Sequence, residues 1–296
     1  MSNNFVMVVG ATGGLGREYS IQLIEKGYNI LLVARDKSNL KTFKDSLLKK
    51  YKQKVLTYSC DITDNQEVIN LFKFIEENNI KLSKLIHIAG IEIEDWFKDT
   101  SHDDILGLAN TNVIGTTNII HRALEVKGES LDILVMSSLA GFFPMPMKAV
   151  YSASKRYIIE LARTLNYELK GESTHILAVC ANGMPTRPDI VEKLKSQGVF
   201  GRLSIVNISK VVRISLKKLN KRTTIYVPGR FNRILLGFSK LIPRSILVKI
   251  LGRRWKKAWQ KIEANKKVRK IWLFIFLEIV FTHNFGWCFS QQITNR

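Results

Sequence analysis

Short apolar segments alternate with amphipathic segments along most of the chain, and this alternation predicts the secondary structure. Apolar, β-branched runs are typical of buried strands. Such runs lie at 5–9, 29–34, 54–60, 84–90, 131–138, 174–180 and 223–229. Between them, apolar residues recur at three- and four-residue steps, as at Ile21 and Ile24, which is the spacing of one helix face. The sequence therefore predicts strands and helices in alternation.

Such alternation predicts a mainly parallel sheet with helices on both faces. The chain has 296 residues, which is enough for one domain of this kind and an extension. We expect an α/β fold with a single Rossmann-type, doubly wound parallel sheet of about seven strands within residues 1–230. Residues 231–296 are expected to form a basic, apolar-rich helical extension.

Charge is distributed unevenly along the chain. Residues 1–186 hold 21 Lys and Arg against 21 Asp and Glu, whereas residues 187–296 hold 25 against four. The whole formal net charge of +21 therefore lies in the C-terminal part. This asymmetry favours an anionic partner there, such as a membrane surface, nucleic acid or an acidic substrate. Nucleic acid is disfavoured, since no recognised nucleic-acid-binding module is present.

Cysteine usage and the N-terminus bear on the compartment. Cys60, Cys180 and Cys288 are far apart and match neither a disulfide framework nor a metal site. Buried or free thiols in a reducing compartment are the simplest interpretation. The apolar run at 5–9 is too short for a signal-peptide core and no basic flank precedes it. We therefore expect a cytoplasmic protein that holds no metal.

The first strand leads directly into a glycine-rich loop, "GATGGLG", with glycines at Gly10, Gly13, Gly14 and Gly16. Glycine lets a backbone turn tightly and approach a pyrophosphate at the N-terminus of the next helix. The spacing G-x-x-x-G-x-G differs from the commoner dinucleotide fingerprint G-x-G-x-x-G. A tight strand–helix turn without a ligand is the alternative.

The segment "VYSASKR" places Tyr151 four residues before Lys155, so the two side chains would share a helix face. A free tyrosine has a pKa of about 10. A nearby ammonium favours the phenolate and lowers that pKa, which would make Tyr151 a usable acid or base. The pair by itself is equally consistent with a packed aromatic residue near a helix start.

Five motifs in order make the chain resemble the short-chain dehydrogenase/reductase family over roughly residues 5–250. They are the glycine loop, "CDIT", "HIAG", "MSSLAG" and "YSASK", and "NVIG" lies between the third and fourth. The resemblance implies an NAD(P)H-dependent oxidoreductase that interconverts a carbonyl and a secondary alcohol by hydride transfer. It implies that Tyr151 is the acid/base, that Lys155 lowers its pKa and binds the nicotinamide ribose, and that Ser138 binds the substrate oxygen. Asn112 would complete a proton relay through water.

The serine is chosen by its spacing, because Ser138 lies thirteen residues before Tyr151 and Ser137 lies beside it. Each of these residues also has an ordinary structural interpretation: a turn serine, or a helix cap for Asn112. The rival function from another class is a cofactor-binding module with little or no catalysis, held at a membrane surface or partner.

The resemblance also implies a set of cofactor contacts. They are Gly10, Thr12, Gly13, Gly14, Leu15, Gly16, Arg35, Asp61, Ile62, Ala89, Gly90, Tyr151, Lys155, Gly183 and Thr186. A basic residue closing the second strand favours NADP(H), because a guanidinium matches the 2′-phosphate. Arg35 has this position, although the adjacent Asp36 leaves NAD(H) as the alternative and Arg35 could be a solvated loop residue.

Two positions depart from the family pattern. Ile88 replaces the asparagine of the N-A-G motif, and little catalytic loss is expected because that asparagine mainly braces the sheet. Asn182 replaces the proline before Gly183, and Thr186 is the only threonine there to hold the nicotinamide carboxamide.

The substrate is expected to be a hydrophobic carbonyl or secondary alcohol, such as a lipid-like, steroid-like or acyl compound. In the family, the segment corresponding to 184–206 covers the substrate, and here it is rich in apolar residues. The apolar residues there and after the serine are Ile190, Val191, Leu194, Val199, Phe200, Leu203, Phe142, Phe143, Met145 and Met147. The resemblance also implies a homodimer or homotetramer.

A basic amphipathic helix is predicted from Ser245 onward. Its apolar positions are Leu247, Ile250, Leu251, Trp255, Trp259 and Ile262, and its basic positions are Lys249, Arg253, Arg254, Lys256, Lys257 and Lys261. This pattern is typical of helices at anionic membrane surfaces. The apolar run at 271–281 is too short to span a bilayer, which takes about 20 residues. Interfacial attachment through residues 245–289 is therefore predicted, with packing on the same chain or a partner subunit as the alternative.

Overall fold

The computed structural model of the protein describes residues 3–182, 184, 205–239, 241–253, 255, 256 and 260. Its seven strands form one sheet in the order β3-β2-β1-β4-β5-β6-β7, and every neighbouring pair is parallel. The strands are β1 Asn4–Val9, β2 Asn29–Ala34, β3 Val55–Ser59, β4 Lys81–His87, β5 Lys127–Ser138, β6 Thr174–Ala181 and β7 Ile225–Tyr226. The predicted Rossmann-type parallel sheet is confirmed.

Helices connect the strands and cover both faces of the sheet. They are α1 Gly14–Ile24, α2 Lys37–Leu48, α3 Asn65–Glu77, α4 His102–Ala109, α5 Thr116–Glu125, α6 Ala149–Glu168, α7 Ile208–Asn220 and α8 Arg230–Ser239. β2 pairs with one edge of β1, and β4, which comes later in the chain, pairs with the other edge. This reversal of strand order opens a crevice at the carboxyl ends of β1 and β4, where folds of this class bind ligands.

Alternating side chains of each strand enter two separate apolar cores. In β1, Val6 and Val8 face the core that includes α1, α2 and α7, while Met7 and Val9 face the core of α3, α5 and α6. All four are at most 1% exposed. A parallel strand covered on both faces needs apolar residues at every position, which explains the uninterrupted apolar run of β1.

Two differences from the predicted elements have clear physical reasons. The long helix predicted after β4 is divided into α4, a π-helical turn at Asn110–Gly115, and α5. The strand predicted at 223–229 contains only two residues in β7, since Pro228 and the left-handed Gly229 (φ +87°) follow directly.

Helix α7 was not predicted. It buries Val211 and Val212 against the sheet, among other apolar residues.

Residues Met1–Val248 form one compact unit, and Lys249–Arg296 form a second unit that is largely outside the described residues. The predicted division at residue 230 stays a prediction. Residues 244–253 are helical, which agrees with the helix predicted to begin at Ser245. Within the described part of the chain, no helix combines the length and the apolarity needed to cross a membrane.

Candidate active site

The loop after β1 is packed so closely that two of its glycines cannot carry a side chain. Gly10 has a φ of +86°, and a Cβ there would lie 2.8 Å from the backbone nitrogen of Ala89. A Cβ on Gly16 would lie 2.2 Å from the carbonyl oxygen of Gly10. In both cases the nearest atom belongs to the backbone, so a side chain could be accommodated only if the glycine loop or the end of β4 moved. The glycine loop therefore forms a tight cradle between β1, α1 and the end of β4.

Helix α1 begins directly above this cradle. Gly13 is its N-cap residue and has no side chain, so the first-turn N–H groups receive no capping oxygen from it. Gly13 and Gly14 are exposed, whereas Leu15 is buried in the core and only 6% exposed. The Thr12 carbonyl accepts a 2.9 Å hydrogen bond from Arg17 Nε, which fixes the loop. Exposed N–H groups at a helix N-terminus are suited to a phosphate.

The ends of β2 and β3 carry the residues expected to contact the adenosine part of a cofactor. Arg35 Nη1 lies 3.8 Å from Asp61 Oδ2, and the Arg35 side chain is 75% exposed. Asp36 is occupied elsewhere, since its carboxylate accepts a 2.9 Å bond from Asn39 N and caps α2. Burial alone would raise the pKa of Asp61, but hydrogen bonds from Thr63 and the charge of Arg35 lower it.

The carboxyl end of β4 brings the glycine loop and the catalytic candidates together. Ala89 N donates to Val9 O at 3.1 Å, which pairs the end of β4 with β1. A Cβ on Gly90 would lie 3.1 Å from both Asn112 Oδ1 and Lys155 Nζ, so Gly90 lies directly against these two groups. Ile62, which is buried, lies beneath the π-helical turn that holds Asn112.

Asn112 is buried, and its side chain makes three hydrogen bonds, two with Ile91 and one with Ser154. Its side-chain oxygen accepts from Ile91 N at 2.9 Å, and its amide nitrogen donates to Ile91 O at 2.9 Å and to Ser154 Oγ at 3.1 Å. Asn112 thereby connects the loop after β4 to α6. The contact with Ser154 was not predicted, although Ser154 follows Tyr151 by three residues and shares its helix face.

Ser138, Tyr151 and Lys155 are grouped at the carboxyl end of β5. The Lys155 ammonium lies 5.7 Å from the centroid of the Tyr151 ring and donates to Met136 O at 3.2 Å. The Ser138 hydroxyl accepts a 3.1 Å hydrogen bond from Ala140 N, and Ser138 lies close enough to Tyr151 to lower its pKa. Ser137 has a different contact, because its hydroxyl donates to the Lys155 carbonyl at 2.7 Å and ties β5 to α6.

Burial dominates the electrostatics of Tyr151 and Lys155 in the protein chain. It raises the pKa of Tyr151, the carboxylate of Glu92 raises that pKa further, and Ser138 lowers it. Burial also lowers the pKa of Lys155, to about 8. The predicted lowering of the Tyr151 pKa by Lys155 stays a prediction, because desolvation of the phenolate has the largest effect on that pKa.

Three charged residues near Tyr151 were missed from sequence. Lys148 precedes α6, is almost fully buried, and forms ion pairs with Glu92 and with Glu94 Oε2, the latter at 3.1 Å. The Lys148 ammonium lies 5.9 Å from the centroid of the Tyr151 ring. All three residues lie outside regular elements, where no periodic pattern marks a contact.

The substrate side of the site is described in part. Gly183 and Thr186 lie outside the described residues, as does the predicted covering segment at 184–206 except for residues 184, 205 and 206. A cavity of about 20 Å³ opens beside Tyr151. Its apolar lining comes mainly from Ile93, Phe97, Ile105, Leu108, Met147 and Val150. The predicted pocket residue Met147 is thus beside Tyr151, while Phe142 and Phe143 pack against the core.

Comparison with known proteins places the chain in a family. The family profile described as short chain dehydrogenase matches residues 4–197, about two thirds of the chain. The chain belongs to the short-chain dehydrogenase family. The family is one of oxidoreductases, and its fold binds NAD(P)(H).

Curated relatives of this family member include proteins named very-long-chain 3-oxoacyl-CoA reductase. The chain is 27% identical to the very-long-chain 3-oxoacyl-CoA reductase of Phaeosphaeria nodorum, over 73% of this chain and 63% of the relative. It is 28% identical to the protein of that name in Pyrenophora tritici-repentis, over 64% of this chain and 57% of the relative. The matches thus span less than two thirds of these relatives' length.

Solved structures agree on the fold of this family member. A 7β-hydroxysteroid dehydrogenase structure has a TM-score of 0.74 at 17% identity, covering 84% of this chain and 96% of its own. The actinorhodin polyketide ketoreductase with NADPH has a TM-score of 0.68 at 19% identity, covering 76% and 95%. A family member from Burkholderia phymatum in complex with NAD has a TM-score of 0.67 at 18% identity, covering 76% and 88%.

Proposed function

We propose that this protein is an NADP(H)-dependent reductase that converts a carbonyl on a hydrophobic substrate into a secondary alcohol, with Tyr151 as the proton donor. The observation that carries the proposal is the grouping of Ser138, Tyr151, Lys155 and Asn112 beside the glycine cradle. All four lie at the carboxyl ends of the central strands, which is the ligand-binding edge of this fold. Hydride transfer to a carbonyl needs one proton, and this group of residues can supply it.

The residues of the site fit a dinucleotide. The tight turn at Gly10 and Gly16 leaves the exposed start of α1 open to a pyrophosphate. When bound, the cofactor supplies the hydride. Lys155, buried against Gly90, is placed to bind its ribose, in line with the role that the family assigns to this lysine.

Ser138 and Tyr151 would act on the substrate oxygen. The Ser138 hydroxyl would donate a hydrogen bond to the carbonyl oxygen and stabilise its developing negative charge. Because burial raises the pKa of Tyr151, the phenol stays protonated at neutral pH and can donate its proton to that oxygen. The phenolate that results would be stabilised by the Lys155 ammonium, and Asn112 would support reprotonation through water. A protonated Tyr151 can donate a proton but cannot accept one, so its protonation state favours reduction of the carbonyl.

A preference for NADP(H) over NAD(H) is part of the proposal. The Arg35 guanidinium is exposed at the end of β2, where the 2′-phosphate of the adenosine ribose would lie. Asp36, the residue that could instead favour NAD(H), is engaged as the cap of α2. A planar guanidinium binds phosphate through paired, charge-assisted hydrogen bonds.

The substrate proposed is a 3-oxoacyl thioester with a long acyl chain. Relatives of this chain carry the name very-long-chain 3-oxoacyl-CoA reductase, and the cavity beside Tyr151 is mainly apolar. A long acyl chain would gain binding energy from such side chains in proportion to its apolar area. A homodimer or homotetramer remains our expectation from the family.

The test is NADPH oxidation with a series of 3-oxoacyl thioesters of increasing chain length, and with small polar sugars as the contrast. Rates should rise with chain length, and Tyr151→Phe should abolish turnover while NADPH still binds. Turnover with the sugars alone would contradict the substrate proposal. No turnover with any substrate, together with intact NADPH binding, would favour the rival interpretation of a non-catalytic cofactor-binding module.

We also propose that the C-terminal region attaches to an anionic membrane surface. The described part of this region exposes apolar side chains, with Leu241 81% exposed and Ile246 49% exposed, next to the basic residues Arg244 and Lys249. Apolar and basic side chains together favour anionic interfaces. The full-length protein should float with anionic vesicles but not with zwitterionic ones, and Leu241→Asp should weaken flotation. Equal flotation with both vesicle types would contradict attachment of this kind.

A further inference from the structure

An ion-pair cluster joins the loop after β4 to the start of α6 beside Tyr151. Lys148 contacts the carboxylates of both Glu92 and Glu94, and its side chain is 9% exposed. The backbone N–H of Asp95 donates to Met147 O at 2.9 Å, so a main-chain hydrogen bond joins the same two segments. We call these three side chains, Glu92, Glu94 and Lys148, the acidic clamp.

The Tyr151 ring lies between two ammonium groups that have different surroundings. Lys155 Nζ is 5.7 Å and Lys148 Nζ is 5.9 Å from the ring centroid. Lys155 donates to a backbone carbonyl, so its charge has no carboxylate in direct contact within the described residues. The Lys148 ammonium, by contrast, forms ion pairs with both Glu92 and Glu94.

The other polar and titratable groups near Tyr151 come from the loop after β4, from β4 itself and from β5. The loop after β4 also contributes Asp95, which lines the same small cavity as Tyr151. His87 on β4 is neutral, because burial lowers its pKa to about 3. β5 contributes the uncharged Ser138. The groups to consider are therefore the ammonium groups of Lys155 and Lys148 and the carboxylates of the loop after β4.

We propose that Glu92 and Lys148 are positioning residues for Tyr151: they hold the loop after β4 against α6 and keep the Glu92 carboxylate near the phenol. The inference rests on the proposed function of Tyr151 as a proton donor. A neighbouring negative charge disfavours the phenolate, so the clamp extends the pH range over which Tyr151 can donate a proton. The direction agrees with the effect of Glu92, which raises the Tyr151 pKa.

The first test is the pH profile of reduction in Glu92→Gln. Glutamine keeps an oxygen that can accept from Lys148, and the Glu92 side chain is 43% exposed, so the variant should fold. Glu92 raises the pKa of both Tyr151 and Lys155, so removing its charge should move the alkaline limb of kcat/KM to lower pH by about one unit. An alkaline limb that coincides with that of the wild type would overturn the electrostatic part of the proposal.

Glu160→Gln is the matched control. Glu160 is also an ion-paired glutamate, is 46% exposed, and lies on α6 with Arg156 and Arg163 as partners. Its carboxylate is not among the groups that shift the pKa of Tyr151. Its pH profile should therefore coincide with that of the wild type, and a shift equal to that of Glu92→Gln would show a nonspecific effect and contradict the proposal.

The second test needs no turnover and reports on the anchoring of the loop. In Lys148→Met, the ion pairs are lost and the hydrogen bond from Asp95 N to Met147 O should open more often. Hydrogen exchange of the Asp95 amide should become at least tenfold faster, while amides in β1 stay protected. Unchanged exchange at Asp95 would overturn the positioning role. Failure of the proposed function is distinguishable, because it would appear as turnover retained in Tyr151→Phe.

Discussion

The cradle at Gly10 makes a quantitative prediction for Gly10→Ala. Two costs arise from the added methyl group. The φ of +86° lies in a region that L-residues adopt at a cost of about 1–2 kcal/mol. The new Cβ would also lie 2.8 Å from the backbone nitrogen of Ala89, whose N–H donates to Val9 O.

The contact with Ala89 cannot be relieved by a rotamer change, because its nearest atoms belong to the backbone. Either the glycine loop or the end of β4 must move, and movement of β4 weakens the hydrogen bond from Ala89 N to Val9 O. Loss of one such bond costs about 0.5–1.5 kcal/mol. Together with the backbone strain, we expect the free energy of unfolding to fall by about 2–3 kcal/mol.

Urea denaturation followed by circular dichroism measures this loss. Gly13→Ala is the control from the same loop, since its φ of −72° is ordinary and a Cβ there meets nothing closer than 3.7 Å. That variant should lose no more than about 1 kcal/mol, because Ala is a poorer N-cap residue than Gly, and a methyl beside the exposed start of α1 should weaken NADPH binding. Equal stability of Gly10→Ala and Gly13→Ala would refute the close-packing argument.

Three further predictions concern other sites. Arg35→Ala should raise the KM for NADPH about tenfold or more while leaving the KM for NADH nearly unchanged, because only NADPH carries the 2′-phosphate; equal effects in steady-state kinetics would contradict the NADP(H) preference. Ser215→Ala removes the hydrogen-bond partner that lies 2.6 Å from the buried Tyr19 hydroxyl, so the free energy of unfolding should fall by about 1–3 kcal/mol. Urea titration measures this loss, and an unchanged midpoint would contradict it. His87 stays neutral in the folded protein down to a pKa of about 3, whereas the unfolded chain takes up a proton near pH 6.5. Its contribution to stability is therefore lost as pH falls from about 6.5 to about 3, and His87→Gln should flatten that part of the stability profile; identical acid dependence would count against it.

Much of the fold could be predicted because the inner strands are buried on both faces. The runs at β1, β2 and β6 are apolar at nearly every position, and this signal needs no knowledge of tertiary contacts. Helix α7 was missed for the opposite reason. Its residues buried against the sheet, such as Val211 and Leu216, recur at helical spacing among lysines, but its position in the fold depends on partners in α1 that are distant in sequence.

The candidate site was predictable where a spacing is local. Tyr151 and Lys155 share a face because they are one helical turn apart, and α6 does hold both in regular helix. The acidic clamp could not be found this way. Glu92 and Lys148 are separated by 56 residues and lie in irregular segments, so only the folded chain brings them together. Burial and Glu92 both raise the pKa of Tyr151, and neither effect can be seen in the local spacing of Tyr151 and Lys155.

The strand order bears on how the chain can assemble during synthesis. β1 pairs first with β2, and β3 then joins the outer edge of β2. β4 joins the other edge of β1, and β5, β6 and β7 follow outward in the order in which they are made. No strand has to enter between two that are already paired. The sheet can therefore grow vectorially from its N-terminal strand, so that each newly made strand meets an edge already in place.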